Sequence, residues 1–131
     1  MAILFYAHSG LRYLVLLAAA AALAYFLAGW IRGTDFDKPA RILTAIYVGL
    51  LDLQVLLGIL LWLMIPAYGA LYGHIVMMLA AATAGHVASV INRRRERPCW
   101  GIAFAGVALS LLLVIGGIMA IGRPILGSGG P

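Results

Sequence analysis

Four predominantly apolar runs, each about as long as a bilayer is thick, constrain this chain more than any other feature. Crossing the hydrocarbon core takes about 20 helical residues, and such runs occupy 5–31, 40–65, 72–91 and 100–121. Each is rich in Leu, Ala, Ile and Val, and the helix breakers fall between them. The segment from Gly33 to Pro39 separates the first two, with Asp37 placed to cap a helix and Pro39 in its first turn. Pro66-Ala67-Tyr68-Gly69 separates the second and third, and a basic stretch ending at Pro98 separates the third and fourth. Hydrophobic residues make up 65% of the chain and charged residues 10%. A soluble domain is about half apolar and a quarter charged, so this chain has too few polar groups to cover itself in water. The expected fold is all-α: a single four-helix transmembrane domain over 131 residues, with 127–131 a frayed tail.

The basic residues set an expected orientation. Three of nine (Arg32, Lys38, Arg41) fall around the first loop and four (Arg93, Arg94, Arg95, Arg97) around the third. Lys and Arg mark cytoplasmic loops, so loops 1–2 and 3–4 are expected inside, and the uncharged 2–3 loop and both termini outside. Trp30 and Trp100 then sit at the inner interface and Trp62 near the outer one, as aromatic belts do. The net charge of +5 is accounted for by topology and anionic lipid, not by nucleic acid. The single cysteine, Cys99, excludes an internal disulfide and any cysteine-built zinc or iron–sulfur site. No cleavable signal peptide is expected, because the first apolar run lacks a basic start and is long enough to span.

Small residues mark the expected bundle interior: Ala80, Ala81, Ala82, Ala84 and Gly85 in the third helix, and Gly116 and Gly117 in the fourth. They allow close helix contact or make room for a flat cofactor. Ionisable groups inside hydrocarbon are costly and need a partner or a purpose. Here they are His8, Arg12, Asp52, His74 and His86, with the uncharged Gln54 beside them. The first and third helices run the same way, and His8 and His74 lie about three and two residues into them, at nearly equal depth near the outer face. Two imidazoles on facing helices can clamp a haem iron from both sides. Arg12, one turn deeper on the face of His8, can pair with a propionate or polarise a quinone carbonyl. Equally, a histidine near a helix end can simply bond a headgroup, a loop carbonyl or a neighbouring helix.

His86 lies twelve residues after His74, about 18 Å deeper and turned by about 120°. It approaches the depth of Asp52, so a buried Asp52–His86 pair is expected, serving structure, a proton relay or a quinone. Ala70 and Ala82 each stand one turn before a histidine, a pattern similar to (bacterio)chlorophyll sites in light-harvesting helices. Met64, Met77 and Met78 fit packing better than metal ligation. The run Arg93 to Arg97 fits a topology determinant that also meets anionic lipid. No nucleophile–base arrangement, phosphate-binding glycine loop or carboxylate pair is present.

The stretch His8-Ser9-Gly10-Leu11-Arg12-Tyr13 resembles the start of a family of small bacterial four-helix membrane proteins described as cytochrome b-like. The likeness continues at Gln54-Val55-Leu56-Leu57-Gly58, at His74-Ile75-Val76-Met77-Met78 and toward Pro124; where that family tends to have Glu-His, this chain has Gly73-His74. The resemblance implies haem b, a place in the bacterial inner membrane, and His8, Arg12, Gln54 and His74 as positions to test. Three functions remain in play. The first is an electron-transfer cytochrome with haem on His8 and His74, exchanging electrons with quinone or a partner subunit. The second is a non-catalytic accessory subunit of a respiratory or photosynthetic complex, binding lipid or pigment. The third is a small proton-coupled transporter assembled as a homo-oligomer, with Asp52 and His86 on its path.

Overall fold

A computed structural model describes residues 1–127 and contains four helices: α1 (Ala2–Arg32), α2 (Lys38–Trp62), α3 (Gly69–Arg94) and α4 (Trp100–Ala120). All four are long and apolar enough to cross a membrane. The expected tail, apart from Gly127, lies outside the described residues. α1 and α3 each begin three residues before their expected starts, so the register between them is unchanged. α2 stops at Trp62, three residues early. Pro66 has no N–H for the next helical bond and disfavours helical backbone in the residue before it. The chain therefore leaves α2 through tight bonds, Met64 N–H to Leu61 O and Ile65 N–H to Trp62 O.

The connections at the opposite end are built in detail. Gly33 closes α1 in the left-handed region (φ 66°), with its N–H on Trp30 O and that of Thr34 on Gly29 O. Asp37 caps α2 as expected, its Oδ1 accepting from the Ala40 N–H at 3.0 Å. Its Oδ2 accepts from the Tyr25 hydroxyl at 2.6 Å. The Tyr25 bond first, and then the cap, hold the Asp37 carboxyl below the usual aspartate range. Trp100 stacks with Phe36 (ring centres 5.0 Å apart) and donates its indole N–H to Thr34 O at 2.6 Å, tying the start of α4 to the α1–α2 loop. Asn92, buried, accepts from the Cys99 N–H at 2.8 Å and anchors the basic loop.

The helices form an antiparallel ring in which each packs on its chain neighbours and α4 closes on α1. The α3–α4 seam is the most extensive and the α2–α3 seam the thinnest. Small residues build the thick seam: a Cβ on Gly106 would collide with Ala88, and one on Gly117 would come to 3.2 Å from the Met77 Cβ. At its centre the Tyr47 hydroxyl meets Ser110 Oγ at 2.7 Å, and Ser110 donates to Ala81 O at 2.8 Å, so these buried polar groups are satisfied. Outside the core, Leu17, Leu56, Val76 and Leu112 are each more than half exposed, leaving an apolar outer surface of a kind soluble proteins rarely carry.

Candidate functional site

Where α1 and α3 begin and α2 and α4 end, the bundle opens into a cavity of about 810 Å³. Its wall is mainly apolar, with Val15, Leu51, Leu71, Met78, Val114 and Ile118 among the lining side chains. Such volume and lining are typical of sites for organic ligands and cofactors. His8, Arg12, Gln54 and His74 all line it, so four of the six residues singled out in the sequence meet at one site.

The two imidazoles face one another across the cavity, ring centres 6.4 Å apart and planes at 80°. His74 Nδ1 lies 2.7 Å from Gly117 O. A carbonyl can only accept, so Nδ1 carries a proton, and in the neutral imidazole this is the tautomer whose Nε2 keeps its lone pair. This is how ligating histidines are commonly held, with one nitrogen bound to a carbonyl and the other left bare. Gly117 lets α4 come close to α3 here, since a Cβ there would crowd the Met78 side chain and stand 3.2 Å from the Met77 Cβ.

His8 is held from α2. Gln54 Nε2 donates to His8 O at 2.9 Å and lies 3.3 and 3.4 Å from the two ring nitrogens, committing to neither. Gly58, one turn on, lets the ring settle: a Cβ there would stand 3.0 Å from His8 Cε1. Arg12 does not reach into the cavity with its terminal nitrogens. They donate to Pro124 O (3.3 Å), Gly127 O (2.8 Å) and the Tyr13 hydroxyl (2.9 Å), strapping the segment after α4 onto α1. Two buried atoms have no partner among the described residues: the donor Arg12 Nε and the acceptor Gln54 Oε1.

Asp52 and His86 do pair, at 2.7 Å, but the expectation that they are buried is overturned: each side chain is 50% exposed on the outer face of α2 and α3. The reason is rotation. Asp52 and Gln54 are two residues apart, about 200° around the helix, and Gln54, 7% exposed, takes the inner face. The 120° between His74 and His86 turns the latter outward in the same way. Neither Asp52 nor His86 lines the cavity, and with Nε2 on Asp52 one nitrogen of His86 is already engaged.

Gly117 was marked in the sequence only as a small interior residue, and Gly58 and Tyr13, whose hydroxyl donates to Gly127 O (2.7 Å), only as parts of the stretches of likeness; none was given a role at the site. No family model, curated protein or solved structure matches the chain.

Proposed function

We propose that this chain is a multi-pass protein of a bacterial inner membrane, and that it carries a b-type haem between His8 and His74 for electron transfer. The observation that carries the proposal is the facing pair of imidazoles, 6.4 Å apart in an apolar cavity, with His74 Nε2 left bare by the Gly117 carbonyl. That separation supports one group held by both imidazoles. Among the described residues no three His, Cys, Asp or Glu converge. A bare ion needs three or four protein ligands, so two imidazoles suit a metal that brings its own ring of ligands. Haem supplies one-electron chemistry when bound. His8 and His74 would hold its iron, the Gly117 carbonyl would hold His74 in its tautomer, and Gln54 would steady His8. The buried Arg12 Nε offers a donor to an anionic edge, although the rest of its guanidinium is committed to the C-terminal segment. The distribution of Lys and Arg supports a site near the outer face, with both termini outside and loops 1–2 and 3–4 in the cytoplasm. Quinone or a partner subunit would exchange electrons there.

The test is an optical spectrum of the purified protein, oxidised and then dithionite-reduced, beside His8→Ala and His74→Ala. A sharp reduced α-band lost in both variants is expected. A colourless wild-type protein, expressed with ample haem, would overturn the haem assignment.

A second occupant is favoured by one observation. Gln54 Oε1 is an orphan acceptor and Arg12 Nε an orphan donor, a pair that suits the two hydroxyls of a quinol, one donating and the other accepting. Organic extraction followed by chromatography would detect a bound quinone and would find it reduced in amount in Gln54→Leu.

A further inference from the structure

Asp52 stands ten residues from the end of α2 and His86 eight from the end of α3. At 1.5 Å per residue that is about 15 and 12 Å from the helix termini, well inside the hydrocarbon if these helices span a bilayer. Yet both side chains are half exposed, on an apolar face. Their mutual bond uses His86 Nε2 and Asp52 Oδ1 only. Nδ1 and Oδ2 are left toward lipid, where unsatisfied polar groups cost several kcal/mol.

We infer that this face is a homodimer interface, in which the Asp52–His86 pairs of two copies complete one another. The complementarity decides the partner. Held electrically neutral, as hydrocarbon favours, the pair has one donor and one acceptor left between Nδ1 and Oδ2, so the surface is its own complement. A twofold axis along the membrane normal keeps both copies at one depth and brings His86 Nδ1 of each to Asp52 Oδ2 of the other. The result is a closed ring of four groups in which each donor meets an acceptor. Around it the face is small or apolar: Gly49, with nothing within 4 Å of its Cβ position, Leu56 and Val87 flank the pair. A small residue beside a polar contact is what lets membrane helices approach closely. The thin α2–α3 seam lies under the same face, so the second copy would also brace the weakest side of the bundle. The inference rests on the membrane-spanning arrangement proposed above and is independent of the cavity's occupant.

The experiment uses the full chain with Cys99→Ser and one new cysteine, either Gly49→Cys on this face or Leu112→Cys on the far side of α4. Membranes are first washed with alkaline carbonate. Loss of the chain into the wash would sink the membrane arrangement itself, whereas a retained chain puts only the dimer to the test. Oxidation is expected to give disulfide-linked dimers from Gly49→Cys and not from Leu112→Cys. Photobleaching of labelled protein in lipid vesicles is expected to count two copies. Asp52→Leu/His86→Leu should weaken self-association about tenfold, the scale of two interhelical hydrogen bonds in a bilayer. The exchanged pair Asp52→His/His86→Asp should restore it. Single-step bleaching at every density would overturn the inference. So would cross-links from Leu112→Cys alone, or capture of a different protein at Gly49→Cys without self-linkage.

Discussion

Gly58 shapes the cavity by what it lacks. The His8 ring lies where a larger side chain on that turn of α2 would need to go, its Cε1 3.0 Å from the Cβ position. Gly58→Ala should ask the ring to shift by tenths of an ångström, while Gly58→Leu must drive it across the cavity, since the α2 backbone cannot retreat from α1. If His8 is a haem ligand, Gly58→Leu should retain the fold by circular dichroism but lose most of the bound haem, read as the ratio of pyridine haemochrome to protein. Full haem occupancy in that variant would show that His8 is not needed at its observed position. The same residue scale marks what could be read from the sequence. The depth of His8 and His74 was legible because residues counted along a helix convert directly to distance. Rotation was not: apolar residues cover every side of these helices, so nothing in the pattern said that Gln54 faces inward and Asp52 outward. The Gly117 carbonyl that orients His74 was also illegible, because a backbone acceptor has no residue signature.

At the scale of elements, the helix termini carry most of the directed bonding. The α1–α2 connection hangs on Asp37, whose carboxylate binds the Tyr25 hydroxyl and the Ala40 N–H. Because these bonds lower its pKa in the folded state, folding favours the ionised form. Its contribution is then complete above the ordinary aspartate pKa of about 3.9 and is lost as pH falls through the lower folded value. Thermal unfolding in detergent at pH 7 and pH 3 should show a larger acid-induced fall for the wild type than for Asp37→Asn, which keeps a neutral cap. An equal fall would place the acid sensitivity elsewhere. The α3–α4 seam makes a contrasting case, since beside its few hydrogen bonds, such as Ser110 to Ala81 O, it relies on close packing of small residues. Gly106→Leu, directed at Ala88, should destabilise the bundle by about 1–3 kcal/mol through overpacking. Ala105→Leu, one residue away on an exposed position, should change it little. Comparable losses in both would mean that the seam is not the close contact it forms here. Capping and small-residue packing were legible in advance, because Asp before Pro and runs of Ala and Gly have local physical meaning. The exact ends were less so: α3 runs on through Asn92 to Arg94, where basic side chains suit the negative end of the helix dipole.

For the molecule as a whole, the decisive asymmetry lies between its two ends. One end holds the cavity, the uncharged loop at 63–68 and the two orphan polar atoms. The other holds Arg32, Lys38, Arg41 and the run Arg93 to Arg97, beside the aromatic cluster around Trp100. Moving the basic end across a bilayer would carry seven cations through hydrocarbon, whereas the cavity end carries few charges to translocate. The chain therefore provides its own probe. Cys99, its single cysteine, sits at the start of α4 on the basic end and is partly exposed. A membrane-impermeant maleimide applied to intact spheroplasts should leave Cys99 unlabelled and should label it in inverted vesicles. With Cys99→Ser and Ala67→Cys in the 2–3 loop the pattern should reverse. Labelling of Cys99 from outside would turn the molecule over and move the cavity to the cytoplasmic face. A redox partner of the proposed haem would then be sought among cytoplasmic donors, although the closeness of His8 and His74 would stand unchanged. The two questions separate because depth and facing within the bundle are set by helix packing, while sidedness is set only by where the cations lie.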